Sequence, residues 1–264
     1  MHALAIFGIT GRMGQSLLRA LGEAPRFTLS GAVASASSRR LGQDAAGEGA
    51  PTGVLITSDP ALGIRGASVA VDFSLGSGVA EHALACAAAG VPLLVGATGF
   101  DPASRGTLER AARVIPVLIA PNTSVGVGVA AELVAMAARG LGSSYDVDIF
   151  EAHHRLKKDA PSGTALALGE AVAQARAVAL EDVATYDRAG QASPRVPGSI
   201  GFSCMRAGDI VGEHTVTFAG AGELVEITHR ATDRATFARG ALRAAEWLVG
   251  RPPGLYGMKN VLGL

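Results

Sequence analysis

The segment "AIFGITGRMG" (Ala5–Gly14) places three glycines where an apolar run gives way to a helical pattern. Gly8, Gly11 and Gly14 form the spacing G-x-x-G-x-x-G, a variant of the commoner G-x-G-x-x-G. Glycines at a strand-to-helix turn let backbone N–H groups approach a pyrophosphate, and the helix N-terminus adds a favourable dipole. Arg12 adds a cation inside this loop. The segment predicts a dinucleotide site; a structural glycine turn with a solvated Arg12 is the alternative.

The first half of the chain alternates apolar runs with helical patterns. The predicted strands are Ala3–Phe7, Phe27–Val33, Val54–Thr57, Val69–Ser74 and Pro116–Ala120, and Pro92–Gly99 is predicted to be a strand and its turn. Continuously apolar strands separated by helices are typical of a parallel sheet covered on both faces. The pattern therefore predicts a Rossmann-type, doubly wound parallel sheet. Its loops at Gly96–Gly99 and Ala120–Gly126 would fall at the ligand-binding edge, unless they are ordinary turns.

The pattern changes near Val125, where a second domain is predicted to begin. The segment "YDVDIFEAHH" (145–154) alternates as a strand does, and Asp209–Gly220 with Glu223–Ala231 predicts an antiparallel hairpin. The turn-rich stretch 186–201 is predicted to be a surface loop. The second domain is therefore predicted to be α+β, with a mixed or antiparallel sheet.

Composition excludes several classes of protein. Of 264 residues, 48% are hydrophobic and 17% are charged, which predicts a folded globular protein. Lysine plus arginine equals aspartate plus glutamate, 23 against 23, so no nucleic-acid or anionic membrane partner is indicated. No signal peptide or membrane-spanning run is recognised, so the cytoplasm is expected. Cys86 and Cys204 are predicted to be buried free thiols.

The segment "EAHHRLKKDAPSGT" (Glu151–Thr164) concentrates cations before a predicted helix start. His153 and His154 would point to opposite faces of a strand, so no metal site is predicted. Glu151, His153 and Arg155 would share one face, and His154 and Lys157 would converge only if the strand ends there. Pro161 suits the first turn of a helix. The helix-start N–H groups and the cations predict a site for a small dicarboxylate, with a plain basic surface patch as the alternative.

The same segment resembles the signature of the 4-hydroxy-tetrahydrodipicolinate reductase (dihydrodipicolinate reductase) family, E-x-H-H-x-x-K-x-D-A-P-S-G-T. Essentially the whole chain shares the likeness, through "GRMG", "VDFS", "GATGF", "APNTSVGV", "GDIVGEHTV", "EITHRATDRATFARGAL" and "GLYGMKNVLGL". The resemblance implies reduction of a cyclic imine-type dicarboxylate in diaminopimelate and lysine biosynthesis.

The resemblance also implies roles for individual residues. His153 would be a proton donor or acceptor, or would only orient the substrate, and Lys157 would be a proton donor. His154, Gly163 and Thr164 would contact the substrate. The implied contacts to NADPH or NADH are Gly8, Ile9, Thr10, Gly11, Arg12, Met13, Gly96, Ala97, Thr98, Ala120, Pro121, Asn122 and Thr123.

The adenosine end of the cofactor is predicted from the residues themselves. A carboxylate about 20 residues past the glycine loop normally accepts the ribose hydroxyls of NAD, and Ala34 stands there. Ser35, Arg39 and Arg40 follow and could bind a 2′-phosphate. We therefore expect NADPH to be used at least as well as NADH; if Arg39 and Arg40 are only solvated, both cofactors would be tolerated. Leu75 and Thr123 depart from residues common in the family, near the cofactor.

The family likeness implies further organisation. The C-terminal helix would return to the nucleotide domain, giving residues 1–124 plus 234–264 as the dinucleotide-binding domain. Residues 125–233 would bind the substrate and form a homotetramer through their sheet. Two rival hypotheses are a nucleotide-sensing homologue without chemistry and another nicotinamide-dependent reductase, such as an aspartate-type dehydrogenase. The second rival should lack the His153–Thr164 segment.

Overall fold

The computed structural model describes residues 1–47, 49–186, 188–190 and 192–264. The strands are β1 (His2–Phe7), β2 (Phe27–Val33), β3 (Ile56–Thr57), β4 (Val69–Asp72), β5 (Leu93–Val95), β6 (Pro116–Ile119), β7 (Asp146–His153), β8 (Ala184–Thr185), β9 (Ile200–Arg206), β10 (Gly212–Gly220), β11 (Glu223–Ala231) and β12 (Gly254–Tyr256). The α-helices are α1 (Arg12–Leu21), α2 (Pro60–Gly63), α3 (Val79–Ala89), α4 (Pro102–Ala111), α5 (Val125–Leu141), α6 (Gly163–Ala175), α7 (Leu180–Val183), α8 (Ala235–Leu248) and α9 (Met258–Leu262).

The chain folds into two compact units. The first contains Met1–Val125 and Ala235–Leu264, and the second contains Gly126–Arg234. These ranges differ from the predicted domains by one residue at each boundary.

The first unit is a parallel sheet in the order β12-β6-β5-β4-β1-β2-β3. Ile6 belongs to a core with α1 and α8, whereas Phe7 belongs to a core with α3 and α4. Successive residues of β1 are therefore both buried, which explains why this strand reads as continuously apolar. The predicted doubly wound fold is confirmed. The chain crosses from one side of β1 to the other between β3 and β4, and such a reversal creates a crevice at the carboxyl ends of the strands.

Two edge features of this sheet differ from the sequence prediction. β3 is limited to Ile56–Thr57, because Leu55 instead forms an isolated bridge to Asp44. β12 was not predicted, and it pairs in parallel with β6. Three residues with little alternation give too short a pattern to indicate a strand from sequence.

The second unit is a mixed sheet in the order β11-β10-β7-β9-β8. β10 is antiparallel to β7 and β11, whereas β9 is parallel to β7 and β8. The loop predicted for 186–201 overlaps the start of β9, and its Asp187 and Gln191 lie outside the described residues. β9 was missed because a parallel strand follows a long connection and carries no hairpin signal. Helices α5 and α6 cover one face of the sheet through a core that includes Val134 and Leu168.

The expectation that no run could span a membrane needs correction. The segment Val125–Ser144 is long and apolar enough to cross a membrane by length and composition, a test that the core helices of other proteins also pass. Val134 and Ala138 of this segment are buried in the core of the second unit.

The expectation for the two cysteines also needs correction. Cys86 and Cys204 are both free, but Cys204 is exposed. The prediction for Cys204 was wrong because β9 leaves the core after Phe202.

Candidate active site

The glycine loop closes tightly between β1 and α1. Gly8 has φ of +77°, and a Cβ at this position would lie 2.7 Å from the carbonyl oxygen of Phe73. A Cβ on Gly14 would lie 2.3 Å from the carbonyl oxygen of Gly8. Gly11 is the N-cap of α1 and offers no side chain to the first N–H groups of the helix. These groups therefore suit an external anion such as a pyrophosphate.

Three further loops lie at the same edge of the sheet. The N–H groups of Gly96 and Ala97 both donate to the carbonyl oxygen of Asp72, at 2.8 and 3.0 Å. A Cβ on Gly96 would lie 2.1 Å from the ring of Phe73. The loops after β1, β4 and β5 therefore meet around Phe73. Ala120 joins them through an N–H bond to the carbonyl oxygen of Val95.

The predicted cofactor contacts differ in how much side chain they present. Thr10, Gly11, Arg12, Thr98 and Pro121 are exposed. Ile9 is fully buried in the core that includes α1 and α8, so only its backbone could contact a ligand.

Thr123 is likewise directed away from solvent. It is buried, and its hydroxyl donates to the carbonyl oxygen of Phe237 at 2.6 Å. The side chain therefore ties this loop to α8, and a contact to a ligand would have to come from its backbone.

The residues predicted to bind the adenosine end of the cofactor differ in exposure and in hydrogen bonding. Ala34 is buried, whereas Ser35 and Arg39 are exposed. The Arg40 guanidinium folds onto its own loop and donates to the carbonyl oxygens of Asp44 and Ala45, both at 3.1 Å. Arg39, rather than Arg40, is thus the cation available to a 2′-phosphate.

A buried carboxylate organises the second unit. Glu151 is fully buried and accepts two bonds from the Arg206 guanidinium, at 2.8 and 2.6 Å. It also accepts from His153 Nδ1 at 2.5 Å and from the N–H of Ser162 at 3.1 Å. Burial opposes ionisation, but the bonds from Arg206 and His153 outweigh it and lower the pKa of Glu151 to about 2.

His153 is held as a neutral imidazole. Burial lowers its pKa, and the charges of Lys157 and Arg206 act in the same direction, against the raising effect of Glu151. Because Nδ1 donates to Glu151, the proton is assigned to that nitrogen, and Nε2 carries a lone pair. A Cβ on Gly212 would lie 3.0 Å from Nε2, so the glycine keeps the space beside this atom open.

Ser162 and His214 complete the arrangement, which we call the Glu151 cluster: Glu151, His153, Ser162, Arg206 and His214. Ser162 is the N-cap of α6; its hydroxyl accepts from the N–H of Ala165 and lies 2.9 Å from His214 Nε2. The His214 and His153 rings meet edge to face at 5.1 Å. Burial is the main cause that lowers the pKa of His214 to about 4.

The remaining predicted residues follow the end of β7. The strand ends at His153, and the N–H of Lys157 donates to the carbonyl oxygen of His154. The loop thus brings His154 and Lys157 together. Lys157 Nζ binds both carboxylate oxygens of Asp159, at 2.9 and 2.8 Å. Arg155 is exposed beyond the strand, so its predicted place beside Glu151 is wrong.

The helix start differs slightly from the prediction. Pro161 precedes the N-cap instead of occupying the first turn, because Ser162 provides the capping side chain. Gly163 is exposed, with open space where a Cβ would be, and Thr164 is half-buried beside it. In the described part of the chain, no group of three or more His, Cys, Asp or Glu residues could hold a metal ion.

Sequence reasoning missed Arg206, Ser162 and His214 as functional residues. His214 lies in "GDIVGEHTV", a segment that carried the family likeness but no assigned role. Arg206 had no recognisable signal, because its partner Glu151 lies 55 positions away.

Comparison with known proteins tests the family resemblance. Residues 2–123 match the sequence model described as "Dihydrodipicolinate reductase, N-terminus", and residues 126–262 match that described as "Dihydrodipicolinate reductase, C-terminus". The chain belongs to the dihydrodipicolinate reductase family. The resemblance stated from the sequence is therefore confirmed.

Full-length relatives support the same family assignment. The chain is 50% identical over 266 residues to the 4-hydroxy-tetrahydrodipicolinate reductase of Anaeromyxobacter dehalogenans, covering 100% of the chain and 98% of the relative. It is 51% identical over 262 residues to the 4-hydroxy-tetrahydrodipicolinate reductase of Bordetella parapertussis, covering 99% and 97%.

Solved structures support the fold of the reductase family. The dipicolinate-bound dihydrodipicolinate reductase from Paenisporosarcina sp. TG-14 aligns with a TM-score of 0.78 at 22% identity, covering 98% of this chain and 99% of that one. Aspartate dehydrogenase from Thermotoga maritima aligns with a TM-score of 0.50 at 12% identity, covering 95% and 98%. The fold alone therefore does not specify a substrate, and the argument for one rests on the full-length relatives and on the Glu151 cluster.

Proposed function

We propose that this chain reduces 4-hydroxy-tetrahydrodipicolinate to tetrahydrodipicolinate with NADPH or NADH, in diaminopimelate and lysine biosynthesis. Two full-length relatives near 50% identity bear that enzyme name. The observation that carries the proposal is the Glu151 cluster, which sets a neutral His153 beside an open helix start and a lysine.

The first unit supplies the cofactor site. The nicotinamide cofactor would provide the hydride. The uncapped start of α1 would bind the pyrophosphate. Gly8 packs against the backbone of Phe73 and Gly96 packs against its ring, so neither position has room for a side chain. The adenosine end would lie near Ser35 and Arg39.

The second unit would bind the dicarboxylate substrate. Gly163 and Thr164 offer N–H groups at the start of α6, which suit one carboxylate. His154 and Lys157 lie in the loop that leads from β7 to this helix start. The dipicolinate bound to the Paenisporosarcina relative is itself a dicarboxylate, which supports this choice of substrate class.

Lys157 is proposed as the proton donor. Conversion of 4-hydroxy-tetrahydrodipicolinate to tetrahydrodipicolinate takes up one hydride and one proton and releases the 4-hydroxyl group as water, and an ammonium group can supply the proton. His153, held neutral by Glu151, has a lone pair at Nε2 and is suited to accept a hydrogen bond from the substrate. His153 would therefore orient the substrate, and Lys157 would transfer the proton.

The structure also supports a proposal for cofactor choice. Ala34 offers no carboxylate to the ribose hydroxyls, and Arg39 is exposed nearby. We propose that NADPH is used at least as well as NADH.

The open face of the second sheet is the proposed homotetramer interface. It carries the exposed apolar side chains Phe150, Met205 and Leu224 on strands β7, β9 and β11. Sedimentation of the purified chain would measure the assembly. Free thiols at Cys86 and Cys204 suit the reducing cytoplasm that we propose as its compartment.

A coupled spectrophotometric assay tests the function. Substrate is made in the cuvette by the preceding synthase, and NADPH or NADH oxidation is followed in the near ultraviolet. We expect oxidation that requires the synthase product. Cofactor binding without turnover would instead support the nucleotide-sensing alternative, and turnover with another imino acid alone would support a different dehydrogenase.

A further inference from the structure

A second buried carboxylate–imidazole pair lies in the first unit, among groups that the proposed mechanism does not use. Asp72, the last residue of β4, is fully buried, and His82 in the first turn of α3 is 8% exposed. Asp72 Oδ2 and His82 Nδ1 are 2.8 Å apart. A buried carboxylate is costly unless it is paired and hydrogen-bonded, so this pair needs an explanation.

Asp72 binds the turn that follows its own strand. Its second oxygen, Oδ1, accepts from the N–H of Ser74 at 2.8 Å. Its carbonyl oxygen accepts the N–H groups of Gly96 and Ala97. One residue therefore holds the start of its own loop and the loop that follows β5.

The residue between Asp72 and Ser74 contacts the glycine loop. The N–H of Phe73 donates to the carbonyl oxygen of Phe7 at 3.1 Å, and the Phe73 carbonyl lies against Gly8. A displacement of the Asp72–Ser74 turn would therefore move the surface against which Gly8 and Gly96 pack.

His82 is fixed by contacts on other sides of its ring. The ring stacks on Phe7, with 4.0 Å between centroids and an interplanar angle of 14°. A Cβ on Gly78 would lie 3.0 Å from its Cε1 atom. Because Phe7 is the last residue before the glycine loop, His82 links the start of α3 to the ends of both β1 and β4.

We propose that Asp72 and His82 form a positioning pair that sets the geometry of the nicotinamide-cofactor site by holding the Asp72–Ser74 turn between Gly8 and Gly96. The proposal rests on the proposed cofactor site of the first unit. The pair touches no ligand itself and acts through the backbone of the three loops.

Two substitutions of His82 separate the contribution of its hydrogen bond from the contribution of its ring. His82→Phe keeps an aromatic ring against Phe7 but removes the donor to Asp72. His82→Asn removes the ring, but its side-chain amide can replace Nδ1–H as a donor. Cys86→Ala is the matched control, because Cys86 is buried in the same core one turn further along α3.

The main measurement is the dissociation constant of NADPH, taken from its fluorescence in the absence of substrate. The affinity for pyridine-2,6-dicarboxylate and the midpoint of thermal unfolding are measured as controls. For His82→Phe we expect cofactor affinity to fall by about tenfold or more, the scale of one lost hydrogen bond to a charged group. His82→Asn should recover most of that loss. Cys86→Ala should leave NADPH affinity within about twofold even if its midpoint falls.

Several results would overturn the pair's positioning role. Equal NADPH affinity in His82→Phe and Cys86→Ala would reduce the pair to core packing. A loss of pyridine-2,6-dicarboxylate affinity as large as the NADPH loss would indicate general unfolding. Wild-type protein that binds no NADPH would contradict the proposed function itself, and that result is distinct from the other two.

Asp72→Asn provides a second route if His82→Phe does not fold. A carboxylate offers one oxygen each to Ser74 and His82, whereas an amide has a single oxygen and must turn its NH₂ group toward one of these donors. NADPH affinity should fall by about tenfold. Unchanged affinity in this variant would overturn the proposal.

Discussion

The glycine loop of the first unit and the Glu151 cluster of the second both suit anionic ligands, but the first uses backbone groups and the second uses side chains. The loop at Gly8–Gly14 uses backbone N–H groups and the absence of side chains. The Glu151 cluster uses ionised and neutral side chains from three strands and a helix start. A backbone site depends on space, whereas a side-chain site depends on protonation and on having every buried partner present.

This difference predicts where single substitutions are most damaging. In the glycine loop, changes of a surrounding polar side chain should have modest effects. In and beside the Glu151 cluster, removal of one charge should leave another group buried without its partner.

Removal of the Lys157 amine should have the largest effect. Lys157→Ala is expected to lower kcat by about 10²-fold or more, the usual scale for a lost general acid, with NADPH affinity unchanged. The neighbouring Lys158 is exposed, so Lys158→Ala is the matched control and should retain most activity. Wild-type turnover in folded Lys157→Ala would remove this residue from the mechanism.

The buried carboxylate should come next. In Glu151→Gln, one amide oxygen must serve Arg206, His153 and Ser162, so we expect unfolding free energy to fall by about 3–5 kcal/mol. kcat/KM should fall by about tenfold or more because His153 loses its fixed orientation. Asp159, whose side chain is 61% exposed, provides the comparison: Asp159→Asn should change the unfolding free energy by less than about 1 kcal/mol. Equal losses of stability in the two variants, measured by urea unfolding, would contradict the role assigned to burial.

Acid should destabilise the second unit through His214. The folded state lowers the pKa of His214 to about 4, whereas the unfolded chain takes up this proton near the ordinary value of 6.5. The stabilising contribution is therefore present above pH 6.5 and is lost as the pH falls toward 4, by about 2 kcal/mol at pH 5.

Urea unfolding at pH 7.5 and pH 5.0 checks this prediction against His214→Gln, which cannot titrate. The variant should lose less stability between the two values than the wild type. An identical pH dependence in both proteins would show that His214 does not titrate as described.

The adenosine end of the cofactor should show the smallest effect. Arg39→Ala is expected to weaken kcat/KM by about fivefold with NADPH and less with NADH, because only NADPH carries the 2′-phosphate. The NADPH effect should shrink at high salt. Arg40 is a poor target for this test, since it binds the carbonyl oxygens of Asp44 and Ala45. A wild-type preference for NADH, or equal losses with both cofactors, would contradict the assignment.

The sequence was informative where the signal is local. The glycine loop and the apolar strand before it occupy ten consecutive residues, so their spacing predicted the turn. The alternation of apolar runs with helical patterns predicted the doubly wound sheet. The start of α6 was similarly visible in Pro161 to Thr164, although the N-cap proved to be Ser162.

The sequence was uninformative where the partners are distant. Arg206 lies 55 positions from Glu151, and His214 lies 52 positions from Ser162. Their contacts depend on β9 and β10 flanking β7, and β9 carries no sequence signal strong enough to predict. Arg155, four positions after Glu151, was therefore expected on the same face of the strand, whereas the guanidinium that binds Glu151 belongs to Arg206.

The most direct test of the central claim, that the second unit binds a dicarboxylate, is competitive inhibition by pyridine-2,6-dicarboxylate and by pyridine-2-carboxylate. Both compounds present one carboxylate to the helix start, and only the first can engage a second set of donors. We expect the diacid to compete with substrate and the mono-acid to inhibit at least about tenfold more weakly, the scale of one lost charge-assisted contact. A mono-acid that inhibits as strongly as the diacid would contradict a two-carboxylate site.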